Sequence, residues 1–246
     1  MSNFAFEVES GKTLRLSTAG KYCDRDIQVT AKGSTGGNDQ FWNAYQQNGQ
    51  RENYEGGFAG KGWGAKTFKP RYDIVPVGSM YMCFRKTDID DLVAILEKQG
   101  VVLNTALVSN MTYAFYNAEI TRIGTLDCSS VTNASYFNNC FTSCTKLVTI
   151  EKIKLATTSG TFTNVFDNVP LLENITVEGQ INRNGLNFQW STKLTHDSLM
   201  SIVNALADYS EDTSGTSWVL TLGETNLSKL TDAEKAVATE KGWSLV

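Results

Sequence analysis

The chain is poor in the residues that most often do chemistry. Its 246 residues include a single histidine, His196, three prolines and no Cys-x-x-Cys pair. A structural zinc site takes four nitrogen or sulfur ligands, and Cys140-x-x-x-Cys144 supplies only two. His196 sits in Thr195-His-Asp-Ser198, and neighbours on one helical turn cannot converge as a triad, so it reads as an exposed residue of a helix cap. The glycine-rich stretch from Gly57 to Thr67 misses the G-x-x-x-x-G-K-[ST] spacing of a phosphate loop. Asp88, Asp90 and Asp91 lack a calcium loop around them and suit the first turn of a helix. No separated carboxylate pair of glycosidase type stands out. No catalytic residue, metal or cofactor is therefore expected, and the chain does not read as an enzyme.

Other absences narrow the partners. No run of 18 apolar residues exists, so membrane insertion is not expected. The first ten residues carry neither a basic nor an apolar stretch, so no secretory signal is expected. The 22 basic and 26 acidic residues are mixed, for a net charge of −4, with no basic cluster to neutralise phosphates. Nucleic acid is not an expected partner. Five cysteines at irregular spacing make a poor disulfide framework, and all are read as reduced, with Cys128 and Cys144 acting as small hydrophobes.

What is present is a repeat. Met111 and Phe115, Phe137 and Phe141, and Phe162 and Phe166 are i, i+4 pairs whose second members lie 26 and 25 positions apart. Three residues after each pair comes Ala118, Cys144 or Val169. Aliphatic ladders follow: Ile120-Ile123-Leu126-Cys128, Leu147-Ile150-Ile153-Leu155 and Leu172-Ile175-Val177. A unit this short cannot bury its own apolar face and must stack on copies of itself. Each pair is expected on one helical turn, and each ladder on a strand. The fold class is thus α+β: a short leucine-rich-repeat-like α/β solenoid with helical caps and a small N-terminal β module.

The rest of the chain divides around that array. Residues 1–32 alternate as short strands (Phe4-Val8, Leu14-Leu16, Ile27-Val29) and read as a small separate β-rich module, with residues 33–39 as a Gly-rich linker. Residues 40–100 are expected to form an aromatic and helical N-terminal cap, with a short helix after Asn38 or Asp39 and a second from Thr87 as N-cap to Gly100. Trp42, Tyr54 and Trp63 are candidate ligand-binding residues, because exposed aromatic rings stack on sugars; burial in the cap is the alternative. The solenoid spans residues 101–180, its first strand starting at Val101-Val102-Leu103. Residues 181–246 form an α/β C-terminal cap: a helix after Thr195, a strand from Trp218 to Leu222, a helix after Thr231 and a last strand at Trp243 and Leu245.

Residues 131–150, Val-Thr-Asn-Ala-Ser-Tyr-Phe-Asn-Asn-Cys-Phe-Thr-Ser-Cys-Thr-Lys-Leu-Val-Thr-Ile, resemble the BspA-type leucine-rich repeats of bacterial surface proteins. Phe166-x-x-Val169-x-x-Leu172-x-x-Ile175-x-Val177 keeps that spacing, with valine for cysteine. The second repeat departs by three extra residues before Ile153, and both Phe137-x-x-Cys140 and Phe141-x-x-Cys144 fit the register. Phe41-Trp-Asn-Ala-Tyr-Gln-Gln-Asn-Gly, Phe58-Ala-Gly-Lys-Gly-Trp63 and Leu194-Thr-His-Asp-Ser-Leu-Met-Ser-Ile-Val-Asn-Ala-Leu-Ala-Asp208 are similar to segments of tail-associated virion proteins from phages and prophages of gut Firmicutes. The resemblance implies a virion structural protein, a tail fibre or receptor-binding subunit for host attachment, located on the phage particle surface. Residues 1–32 would dock to other virion proteins, the array would meet a host surface glycan or protein, and a homotrimer would be usual for a fibre. A host-encoded adhesin on the bacterial cell surface is the alternative, disfavoured by the missing signal. A polysaccharide depolymerase is the enzymatic alternative, and would need a carboxylate pair in a groove.

Overall fold

The computed structural model describes residues 58–60, 70 and 73–246, together with three earlier strands as backbone: β1 (Thr13–Leu16), β2 (Arg25–Gln28) and β3 (Gly49–Asn53). These residues form a mixed α/β structure of short strands and few helices. β1 and β2 pair antiparallel, Leu14 opposite Ile27, on two of the alternating segments expected within residues 1–32. The Phe4-Val8 segment, the linker and the helix expected after Asn38 or Asp39 lie outside the described residues.

From β3 onward pairing is parallel and follows chain order. β4 (Ile74–Ser79) lies between β3 and β5 (Val108–Asn110). β6 (Arg122–Cys128), β7 (Thr149–Leu155) and β8 (Asn174–Gly179) form a second three-stranded sheet. Ile123, Ile150 and Ile175 share one register position, and Leu126, Ile153 and Val177 share another. Parallel neighbours in chain order require the chain to return to the same side after each traverse, so each pass lies against the one before it. The three extra residues expected before Ile153 do not displace β7 against β6; the shift falls between β7 and β8.

The segment between the sheets differs from the expected helical turn. Ala114 and Ala118 N–H donate to the Met111 and Phe115 carbonyls, and Cys140 and Cys144 N–H to those of Phe137 and Phe141. These are tandem β-turns, and an i, i+4 pair marks the first residues of two successive turns. The third position of each turn is left-handed: Met82, Lys86, Tyr113, Asn117, Asn139, Ser143, Asn164 and Asn168 all have φ between 52° and 59°. A continuous α-helix is incompatible with a left-handed residue every fourth position. Asparagine suits that conformation best among non-glycine residues and occupies four of the eight places.

The conformation is held by bonds between passes. Met80, Met82, Phe84 and Lys86 N–H donate to the carbonyls of Asn110, Thr112, Ala114 and Tyr116 at 2.7–3.2 Å. Met111, Tyr113, Phe115 and Asn117 repeat this onto Tyr136, Asn138, Cys140 and Thr142. Alternate N–H groups thus point to the next pass, while those between close the turns, so the buried backbone is paired without a helix.

Inside the turns runs a column of phenylalanines. Phe115, Phe141 and Phe166 stack with centroids 5.4 and 5.2 Å apart. The column also takes in Phe84 at 5.1 Å, Phe58 beyond it at 5.0 Å, and Phe188 at the other end at 4.6 Å. It therefore continues without a break across residue 100, where the expected cap meets the expected array, and past residue 180. Met111, Phe137 and Phe162 are buried beside it, as are Cys144, Val169, Leu147, Ile150, Leu172 and Ile175. Phe141, not Phe137, joins the column, which resolves the register; Phe137 instead meets Phe162 at 5.7 Å. The four described cysteines are unpaired and buried, and burial pushes the Cys144 thiol up to about 12, so it stays protonated.

A helix closes each edge of the β6–β7–β8 sheet. α1 (Leu92–Gln99) follows the turns of the Phe84 pass and lies against β6. It begins after Asp91, whose carboxylate accepts from Ala94 N–H, and ends at left-handed Gly100 as expected. Thr87 is not its cap: the tandem turns run to Thr87, which is buried in the column of Ala118 and Cys144. Val101-Val102-Leu103 is likewise not a strand; Leu103 forms a single bridge to Ile74, and the strand comes at β5. At the other edge α2 (His196–Asn204), capped by Thr195, offers Ser198 and Ser201 hydroxyls that accept from Ile175 and Val177 N–H at 2.9 and 2.8 Å. The edge strand's donors are thereby satisfied without another strand. β9 (Trp218–Leu220), α3 (Glu224–Leu227), α4 (Asp232–Glu240) and β10 (Trp243–Leu245) complete the C-terminal part, with β9 and β10 parallel and a Thr231–Glu234 capping box on α4.

Candidate binding surface

Two surfaces alternate around each pass, and the sheet face is the plainer one. Arg122 meets Asp91 at 3.1 Å and Glu151 at 3.3 Å, Lys154 meets Asp127 at 3.5 Å, and Lys152 meets Glu178 at 2.6 Å. Each pair joins neighbouring elements, so charges that would repel in register instead alternate in sign. Such exposed pairs contribute at most about 1 kcal/mol each. The Ser129 hydroxyl, with Lys154 assisting, holds the Asp127 carboxyl below the usual carboxylate range. These acids are committed to partners across the strands.

His196 is equally committed. Its Nε2 lies 2.8 Å from Glu234 Oε1 on α4, at the surface. Ser198 Oγ is directed inward, donating to the Glu173 carbonyl, so the hydroxyl and imidazole do not face each other. Glu234 is held below the usual carboxylate range by the Thr231 amide and hydroxyl and by His196. Among the described residues no three His, Cys, Asp or Glu side chains converge as metal ligands.

The turn edge is chemically richer. Residues in the second and third positions of each turn lie outside the phenylalanine column and, except for buried Thr142, form four outward rows. Along the chain these rows hold Tyr81, Met82, Arg85 and Lys86, then Thr112, Tyr113, Tyr116 and Asn117, then mainly asparagine, serine and threonine. The aromatic and basic residues therefore gather at the passes of Phe84 and Phe115. Tyr81 and Tyr113 meet edge to face at 6.2 Å, Tyr113 and Tyr116 at 5.4 Å, and the Arg85 guanidinium lies 5.7 Å from the Tyr116 ring centre. Tyr136, 47% exposed, enters the next pass, and its carbonyl accepts from Met111 N–H.

Two polar atoms in this cluster lack partners: buried Arg85 Nε, and Oδ1 of Asn138, whose carbonyl accepts from Tyr113 N–H. The C-terminal aromatic cluster behaves differently. Tyr209 stacks on Trp218 at 3.9 Å, but the Tyr209 hydroxyl donates to the Asn182 carbonyl, Trp218 Nε1 to Asp212, and Trp243 Nε1 to the Ala207 carbonyl. That cluster is a satisfied packing unit.

The expected ligand-binding residues Trp42, Tyr54 and Trp63 lie outside the described residues. Tyr81, Arg85, Tyr113 and Tyr116 were not anticipated. Their signal is present, since Tyr113 and Tyr116 flank Phe115 as Arg85 flanks Phe84, but reading it requires counting Met80 and Phe84 as a further pair. No protein-family model, curated protein or solved structure matches the chain.

Proposed function

We propose that this chain is a non-enzymatic structural protein of a phage or prophage virion, a tail fibre or receptor-binding subunit, whose leucine-rich-repeat-like solenoid presents a recognition surface. The column of six phenylalanines among the described residues carries this reading. Rings in close contact along the whole stack make a stiff body, and that body repeats the same outward rows at every pass. A stiff periodic surface displayed in several copies on one particle raises avidity without a strong single site. Residues 1–32 dock to other virion proteins, and the outward rows meet a host surface glycan or protein.

Immunogold electron microscopy of purified particles tests the assignment, with label on the tail as the expected result. Particles that lack the chain, with label on the surface of cells making no particles, would instead favour the host-encoded adhesin, the reading nearest to the repeat resemblance of residues 131–150. Deleting residues 1–37 should leave a folded body that no longer enters particles; an unfolded product refutes the modular N-terminus.

A further inference from the structure

We infer that the cluster of Tyr81, Arg85, Tyr113 and Tyr116 is a binding site for an acidic polysaccharide, with sugar rings against the tyrosines and a carboxylate on Arg85. The inference rests on the recognition reading above and names its ligand class.

The composition of the cluster selects the ligand. Three half-buried phenol rings set at steep angles form a corner of aromatic faces and edges, with interplanar angles of 89° and 67°. Sugars offer such a corner both C–H groups, for the ring faces, and hydroxyls. The Arg85 guanidinium has no carboxylate partner among the described residues, whereas Arg122 on the sheet face has two. Stacking on Tyr116 preorientates its planar fork, which matches a carboxylate in two parallel hydrogen bonds. Neighbouring Lys86 is exposed and adds positive charge.

Tyr113 supplies the discriminating variant. It is left-handed at φ 55°, as are Met82 one pass earlier and Asn139 and Asn164 one and two passes later in the same row. Asparagine suits that conformation better than tyrosine, so exchanging the ring for asparagine favours the backbone while removing an aromatic face.

The test uses the full-length protein in isothermal titration with oligogalacturonate, hyaluronan oligosaccharides and alginate oligosaccharides, with dextran oligosaccharides as the neutral control. At least one acidic probe should bind, more weakly as salt rises, while dextran does not. Arg85→Gln should weaken binding at least tenfold. Tyr113→Asn should weaken it similarly while raising the melting temperature, an opposition that a purely structural tyrosine would not produce. Absence of binding to every acidic probe, or equal binding by Tyr113→Asn, overturns the site. Equal binding of dextran overturns the role of the carboxylate. Tail label in electron microscopy without saccharide binding removes this inference alone and leaves the virion assignment standing.

Discussion

The phenylalanine column predicts a specific pattern of energetic coupling. Phe141 is fully buried and stacks on Phe115 at 5.4 Å and on Phe166 at 5.2 Å, with rings tilted by only 12° and 11°. Truncation to alanine should cost about 3–5 kcal/mol, as for other buried phenylalanines. In a chain of this length that lowers the melting temperature by roughly 10 °C. Leucine substitutions are gentler and allow double-mutant cycles. The pairs Phe115→Leu with Phe141→Leu, and Phe141→Leu with Phe166→Leu, should each show a coupling of about 0.5–1.5 kcal/mol, the range for aromatic pairs. Phe115→Leu with Phe166→Leu should be additive within about 0.5 kcal/mol, because the intact Phe141 ring separates them. Urea unfolding followed by circular dichroism supplies all the free energies. Coupling as large across two rungs as across one, or none between neighbours, would refute the view that the rings act as a nearest-neighbour column.

Three further outcomes follow from other contacts. Lys86→Asn, at an exposed left-handed position, should raise stability by roughly 0.5–1 kcal/mol in the same urea assay, since asparagine tolerates that conformation better. Ser198→Ala should cost about 1–3 kcal/mol by leaving the buried Ile175 N–H without an acceptor and the Glu173 carbonyl without that donor, whereas His196→Ala should change little. In acid, the folded-state pKa values of Asp127 and Glu234 lie below their ordinary 3.8 and 4.5, so the unfolded chain binds more protons and stability is lost as pH falls through and below those values. The double variant Asp127→Asn, Glu234→Gln should show a shallower loss between about pH 5 and pH 3, measured as urea midpoints.

The same contacts explain which features could be read from the chain alone. Burial of the repeat residues was legible because one environment recurs: a ring, a small residue three positions on, then an aliphatic ladder. The caps at Thr195 and Thr231 were legible because capping is local, a hydroxyl reaching an amide three residues away. Cap position at α1 was not, because Thr87 and Asp91 are both competent caps, and the tandem turns of the Phe84 pass occupy Thr87. The tyrosine cluster was hidden for a related reason, as Phe84 lies 31 positions before Phe115, outside the 25–26 residue period. The intervening chain includes helix α1, which lengthens that pass.

By itself, then, the sequence determined which side chains face inward and that successive passes must cover one another, since hydrophobic spacing is written residue by residue. The backbone path between those residues was decided only in three dimensions. A four-residue apolar spacing serves an α-helical turn and a pair of β-turns equally well, and methionine, lysine, tyrosine and serine carry no local preference for the left-handed region. The choice comes from alternate amides that find carbonyls on the next pass, a partner that exists only after the passes have stacked. The extent of the stack was decided in the same way: Phe58 and Phe188 join the column, and α1 and α2 close the sheet, because exposed rings and unpaired strand edges are unfavourable whatever their spacing along the chain.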